Sequence, residues 1–277
     1  MPRLIGNSVI YAHSNDSYHY PKHRTPYLLI TNYLNQGSYR LNDERIHINE
    51  SSFYLLNLND ELEVTFREKL PLRTLFILFD ESFVQQCVHA DNLTITDGLD
   101  QVEAADTKIE FVPVPLEKTR EITYYLSSLV KNQLLTERDE AFSYLMMACL
   151  RSQRQTQKRI DELGVVKRST EIELYRRLFL AREYLHEHRT QKLMLDELST
   201  TVGLNKFHLL ENFKKAFGIT PHKYLTQLKL QMAYHMLSQD QSSVSDTCYA
   251  LSFESLGSFS LLFKRHFGFS PSTVIKS

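Results

Sequence analysis

Two pairs of basic side chains recur at the same place in a repeated motif. Phe213-Lys214-Lys215-x-Phe217-Gly218-x-x-Pro221 returns 50 residues later as Phe263-Lys264-Arg265-x-Phe267-Gly268-x-x-Pro271. The two spacer positions before each proline are apolar then hydroxyl in both copies, Ile219-Thr220 and Phe269-Ser270. A lone Lys-Lys pair on a helix is ordinarily a solvated face. Cations held at matching places in two copies of one motif suit a regularly spaced polyanion, with Lys214, Lys215, Lys264 and Arg265 set to meet phosphate.

Other chemistries find less support. His13, His19 and His23 lie near the N-terminus and His47 on a predicted strand, but no His-x-His occurs among residues 1–150. A metal site in a small β-barrel needs three or four converging ligands, so these histidines read as surface or cover residues, and neither a metal nor another cofactor is expected. The three cysteines, Cys87, Cys149 and Cys248, are widely spaced and odd in number, which argues against a disulfide framework or a zinc knuckle. No nucleophile elbow or Cys/His signature is present, so an enzyme is not supported.

The elements around the repeated motif have a helical period. Leu195, Leu198 and Val202 space the buried face of one short helix, and Gly203 supplies a turn that needs a positive φ. Asn205 caps the next helix, whose inner face is His208 or Leu209, then Phe213 and Phe217. Gly218 ends that helix and Pro221 opens a connector helix carrying Tyr224, Leu225, Leu228, Ala233 and Leu237. In the second copy Val244, Thr247, Cys248 and Leu251 form the first helix, Ser252-Phe253 the turn, and Phe259, Phe263 and Phe267 the inner face of the last long helix.

Charge divides along the same line. The 277-residue chain nets −1, yet residues 1–150 carry 21 acids against 13 bases, net −8, and residues 151–277 carry 12 against 19, net +7. Such asymmetry points to two domains with different partners. No apolar run reaches the roughly 18 residues of a membrane span, and the N-terminus has no secretory pattern, so a soluble, cytoplasmic protein is expected.

The first half reads as strands at 27–34, 38–41, 45–48, 52–58, 62–66 and 72–79, with turns at Asn35-Gln36-Gly37, Asn42-Asp43, Asn49-Glu50, Asn59-Asp60 and Leu70-Pro71. Short strands at this spacing predict an antiparallel sandwich or barrel. A helix over 81–89, a polar loop over 91–106 and a strand over 108–114 follow. Strand alternation turns Tyr33, Arg40, His47 and Tyr54 inward as candidate lining of an effector pocket, although each also suits a satisfied core. From Leu116 the period becomes helical, with one stripe of Ile122, Tyr125, Leu126, Leu129 and Val130 and another of Phe142, Leu145, Met146 and Cys149. Either the helices cover the barrel or a stripe faces a second copy of the chain. Residues 151–168 read as a helix end plus basic linker.

Over residues 170–275 the chain resembles the AraC/XylS transcription regulators. The resemblance rests on Leu195-Asp196-Glu197-Leu198-x4-Gly203-Leu204, on Phe213-Lys214-Lys215-x-Phe217-Gly218-x-x-Pro221-x-x-Tyr224, and on Phe253-x5-Phe259-Ser260-x-x-Phe263 continuing to Pro271. It implies an α+β multidomain protein: a cupin-like antiparallel β-barrel or sandwich with helices, then an all-α tandem helix-turn-helix domain. The corresponding division is a sensor domain at 1–115, a helical dimerisation region and linker at 116–165, and a DNA-binding domain at 166–277. The implied partners are double-stranded promoter DNA, RNA polymerase, an unknown small-molecule effector and a second copy bound through residues 116–150, with no membrane.

The same resemblance makes Lys206, Phe207, Leu210, Glu211, Leu256, Gly257, Ser258, Ser260 and Leu261 candidates for base contact, on helices entering grooves about 34 Å apart. Leu and Phe can touch thymine methyls, Glu211 can accept from a cytosine amine, and Ser260 can donate or accept. No arginine is placed for a bidentate guanine contact, so A·T-rich targets and a shallow specificity ratio are expected. Ser252 stands where the family usually has glycine, Thr247 where it has isoleucine, and Cys248 where it has alanine, which makes the second subdomain the weaker one. The leading expectation is therefore a one-component regulator, which the resemblance makes an activator; the alternatives are an interaction module with impaired DNA binding and a cupin-type enzyme fused to a DNA-binding domain.

Overall fold

The computed structural model describes residues 6–14, 18–34, 37–66, 71–95, 109–131, 135–239 and 242–274. The turn at Asn35-Gln36, Leu70, and residues 96–106 of the expected polar loop lie outside the described residues. Two compact units emerge, residues 1–158 and 159–277. The helices of the expected 116–165 region therefore belong, as far as Lys158, with the first unit.

The first unit begins with β1 (Ser8–Ser14), β2 (Tyr18–Arg24), β3 (Tyr27–Leu34), β4 (Gly37–Leu41), β5 (Glu44–Ile48), β6 (Ser52–Leu56), β7 (Glu61–Phe66) and β8 (Leu72–Phe79). Helix α1 (Glu81–Ile95), the two-residue β9 (Leu116–Glu117), α2 (Arg120–Lys131) and α3 (Leu135–Asp161) complete it. All strand pairs are antiparallel, in one sheet ordered β1-β8-β3-β6-β9 and another ordered β2-β7-β4-β5. Among the described residues the sheets are not joined into a closed barrel; the fold is a sandwich. Two of the four edge strands are poorly suited to take a further strand. Pro21 lies in β2, which carries a register shift there and has no N–H to offer a further strand, and β9 is too short to extend the other sheet.

Local chemistry fixes the hairpins. Asn42 and Asp43 both adopt positive φ, 48° and 67°, the paired left-handed geometry that matches the twist of adjoining strands. At the next turn Asn59 takes φ 68°, and Asp60 Oδ2 accepts the Asn57 amide at 2.7 Å.

Leu28, Ile30, Tyr39, Leu41, Ile46, Ile48, Tyr54, Leu56, Leu62 and Val64 form the core between the sheets. A satisfied polar cluster sits among them. Tyr39 Oη and Thr74 Oγ1 donate to Asn32 Oδ1 at 2.6 and 2.9 Å, while Asn32 Nδ2 donates to the Ile48 carbonyl at 2.8 Å. Burial pushes the Tyr39 phenol up to about 12, so it remains a donor.

The opposite face of the five-stranded sheet buries Leu29, Phe53, Leu55, Leu75, Ile77 and Phe79. Helices cover it, with Phe142 of α3 edge-on to Phe79 at 6.3 Å. The stripe of Ile122, Leu126, Leu129, Phe142, Leu145, Met146 and Cys149 is fully buried within this unit, so the covering alternative describes it. Tyr125 is half-buried and Val130 exposed.

Three expectations need correction here. Helix α1 runs six residues beyond His89, to Ile95. Residues 109–114 make no strand: Pro113 and Pro115 remove donors, and the Asn57 side chain satisfies both polar groups of Phe111, at 2.6 and 3.0 Å. The supposed connector at 151–168 is mostly helix, since α3 continues to Asp161 and breaks around Gly164, φ 69°. No described helix is long and apolar enough to cross a membrane.

The second unit contains α4 (Arg168–Glu187), α5 (Leu195–Val202), α6 (Lys206–Phe217), α7 (Pro221–Ser238), α8 (Val244–Ala250), α9 (Leu256–Phe267) and α10 (Pro271–Val274). Tyr175, Leu178 and Phe179 of α4, Leu198 and Val202 of α5, Leu209, Phe213 and Ala216 of α6, and Leu225 of α7 are buried. Leu209, not His208, takes the inner position. A second core gathers Leu230, Ala233 and Leu237 of α7 with Cys248, Leu251, Phe259, Phe263 and Val274. Cys248 is wholly buried there and its thiol is pushed up by desolvation, the state of a packing residue.

Thr247 is buried in the same core with its hydroxyl unpartnered. An orphan hydroxyl costs about 1–3 kcal/mol, whereas valine has the same shape. Thr247→Val is expected to raise the unfolding free energy by about 1 kcal/mol in urea titrations, and an unchanged midpoint would contradict the assignment.

Candidate nucleic-acid interface

Helices α6 and α9 are set by the same local devices. Asn205 Oδ1 accepts the His208 amide at 2.9 Å, and Ser255 Oγ accepts the Ser258 amide at 3.2 Å. Each helix ends at a left-handed glycine, Gly218 with φ 75° and Gly268 with φ 86°. Each is pinned inward by phenylalanine: Phe213 lies 4.7 Å from Phe217, and Phe263 lies 4.6 Å from Phe267. Phe217 and Phe267 are half-buried.

The turns that precede these helices differ by one residue. Leu204 donates its amide to the Ser199 carbonyl, and Phe253 donates to Cys248 in the same way. Counted from there, the Asn205 cap follows at once, while Glu254 intervenes before the Ser255 cap. Gly203 takes φ 64°, and Ser252 takes φ 53°, the left-handed conformation expected of a glycine substitute. For serine that costs on the order of 1 kcal/mol.

On the outer faces Lys206, Phe207, Leu210 and Glu211 of α6 and Leu256, Gly257, Ser258 and Leu261 of α9 are exposed, as are Lys214, Lys215, Lys264 and Arg265. Phe207 and Leu261 are the most open apolar pair, 72% and 70% exposed. Ser260 is half-buried, which limits its reach. Gly257 leaves open space where a Cβ would stand.

Electrostatics sorts the charged candidates. Lys206 pairs with Asp196 of α5, and Lys215 pairs with Glu211 one turn away at 2.9 Å. Glu211 is therefore an acceptor already engaged by a neighbouring cation. Lys214, Lys264 and Arg265 have no acidic partner among the described residues. They stand in the last turns of α6 and α9, and are available to an outside anion. Ser258 Oγ donates to the Ser255 carbonyl at 3.0 Å, so its hydroxyl is already partly committed.

Sequence reasoning missed what holds the turns. Arg177 of α4 donates from Nη1 to the Gly203 carbonyl at 3.0 Å, while Glu173 orients its Nε at 2.8 Å. Ser252 Oγ donates to the Thr190 carbonyl at 2.8 Å. These partners lie 26 and 62 residues away, and no local pattern signals them.

The four pocket candidates of the first unit do not converge. Arg40 and His47 point outward, because Tyr39, Leu41, Ile46 and Ile48 claim the inward positions and alternation leaves their neighbours in solvent. Tyr54 fills the core between the sheets. Tyr33 lies on the helix-covered face with Lys118 Nζ 4.8 Å from its ring centre, and its hydroxyl is buried. Of the other histidines, His19 meets Thr65 Oγ1 at 3.1 Å and His23 the Pro21 carbonyl at 3.1 Å. Among the described residues no three His, Cys, Asp or Glu side chains gather as a metal site.

Lys118 also donates to the Asn32 carbonyl at 2.8 Å, and burial pulls its ammonium down to about 8, opposed by Glu50. Between that value and the ordinary 10.5 the unfolded chain holds a proton that the folded chain has released. The stability of the wild type relative to Lys118→Met should therefore rise with pH across this window; a flat difference would contradict it.

A family model described as a helix-turn-helix domain matches residues 198–277. Curated relatives include the HTH-type transcriptional activator RhaS of several Escherichia coli strains, 33% identical over 98 residues. That stretch is 35% of this chain and 35% of the relative, so the chain matches about a third of the length of these relatives. Among solved structures, an AraC-type DNA-binding-domain protein of Chromobacterium violaceum aligns at 27% identity and TM-score 0.35, covering 36% of this chain and 89% of that one. ToxT of Vibrio cholerae aligns at 12% identity and TM-score 0.39, covering 98% of both chains. The doubled motif and the sequence match fall on the same residues, so residues 198–277 form a helix-turn-helix domain of the kind found in AraC/XylS transcriptional regulators.

Proposed function

We propose that the protein binds promoter DNA through residues 166–277, with α6 and α9 in two successive major-groove segments about one helical turn apart. The observation that carries this reading is the repeat itself: two helices, each with a side-chain N-cap and a left-handed glycine at its end, each presenting last-turn cations, of which Lys214, Lys264 and Arg265 have no acidic partner among the described residues. Lys214, Lys215, Lys264 and Arg265 contact phosphate. Phe207, Leu210, Leu256 and Leu261 meet thymine methyls, Lys206, Glu211, Ser258 and Ser260 supply polar contacts, and Gly257 allows close approach. No arginine stands at the positions assigned to base contact, which favours A·T-rich sites.

Residues 1–115 receive an effector, and the outcome is activation through RNA polymerase. The RhaS relatives, called transcriptional activators, support the last point. Two copies would associate over the outer side of residues 116–150, where Tyr124 and Tyr144 are 69% and 54% exposed. The test is a mobility shift on the DNA upstream of the protein's own coding region, repeated at several salt concentrations. Salt-dependent binding supports the reading. No shift at low salt would favour an interaction module, a reading for which the exposed Phe207 and Leu261 speak.

A further inference from the structure

The two helix-turn-helix motifs are attached to the α4 end of the domain by different means. At the first turn a long side chain on α4, Arg177, reaches the carbonyl of a glycine that is free to be left-handed. At the second turn the reach runs the other way: Ser252, itself left-handed, extends its hydroxyl to the Thr190 carbonyl in the segment between α4 and α5. Glycine would adopt this backbone without strain, but it has no donor to offer.

The surroundings concentrate on the same turn. Phe253 lies tilted against Phe259 of α9 with ring centres 4.9 Å apart, and the buried Lys229 of α7 is 5.7 Å above its ring. Beyond it Glu254 lies 3.9 Å from Lys192. Apart from the Ser252 bond and this exposed ion pair, the second motif packs among the described residues on α7, whose 18 residues span about 27 Å. The helix itself is stiff, so any freedom lies in how the second motif seats on its end, where a small rotation carries α9 with it. A lateral tie from Thr190 to Ser252 turns the hinge into a braced frame.

We propose that Ser252 is a positioning residue that fixes the separation of α6 from α9, and so sets the half-site spacing the protein accepts on DNA. This rests on the DNA-binding reading above. Serine is kept at a strained position because its hydroxyl supplies the brace.

The test uses the full chain and a duplex recovered with it from genomic DNA, remade with one or two base pairs added or removed between the half-sites. The wild type should lose about tenfold in affinity for each base pair of change. Ser252→Gly should bind the original duplex within about threefold of wild type, yet lose less than about threefold for one added base pair. Ser252→Asn, which tolerates the left-handed backbone and keeps a donor, should restore the sharp dependence. Spin labels at positions 211 and 261 give a readout without DNA: their distance distribution should broaden in Ser252→Gly and narrow again in Ser252→Asn. An identical spacing profile and an unbroadened distribution in Ser252→Gly would overturn the brace alone. Wild-type protein that captures no duplex would overturn the DNA-binding reading, and this proposal with it.

Discussion

Replacing Lys214, Lys215, Lys264 and Arg265 together by alanine should lower affinity for a target duplex on the order of a thousandfold near physiological salt. Each phosphate contact releases counterions, so the slope of log affinity against log salt should fall by about 3 to 4. The stability of the domain should barely change, because all four side chains are exposed and only Lys215 is held in an ion pair. Fluorescence anisotropy across a salt series reads both quantities. A variant with weaker binding but an unchanged salt slope would mean that these residues act through folding or through bases, not phosphate.

The second large effect concerns the core beneath the cations. Phe213→Ala and Phe263→Ala should each cost about 3–5 kcal/mol, since both rings are wholly buried and make several aromatic contacts. Stabilities of whole domains are about 5–15 kcal/mol, so either change removes a large part of what holds the second unit. Residues 1–158 form a separate compact unit and should keep their own transition. Calorimetry is the suitable measurement, because the chain has no tryptophan and 15 tyrosines spread over both units. The expected trace keeps one transition in place and moves the other down. A uniform shift of a single transition would mean that the chain unfolds as one body.

How far the sequence foretold this structure depended on the range of the interaction. The cap Asn205, the glycines at 203 and 218 and the Asn42-Asp43 turn act within a few residues, and local residue types sufficed to place them. The fully buried phenylalanines followed from helical period. Arg40 and His47 were misplaced because strand alternation has two phases, and the phase is chosen by Tyr39, Leu41, Ile46 and Ile48 packing against the other sheet. The stripe from Ile122 to Cys149 could equally face a sheet or a second copy, since an apolar surface carries no label for its partner. Residues 109–114 look extended in sequence and are not paired, because the side chain of Asn57 takes the place of a neighbouring strand.

The candidate interface was legible as a set of outward positions and opaque in its electrostatics. Helical period places Lys206 and Glu211 outward, but only the folded chain shows Lys206 against Asp196 and Glu211 against Lys215. Position 252 was flagged by residue type alone; its hydrogen bond to Thr190 spans 62 residues and has no sequence signature.

Capture of fragmented genomic DNA by the full-length protein, followed by sequencing of what is retained, tests the central claim most directly. Enriched fragments are expected to share two half-sites, centred about 10–10.5 base pairs apart, rich in A·T and without invariant guanines at their centres. Fragments with no shared spacing, or half-sites built around invariant guanines, would contradict it.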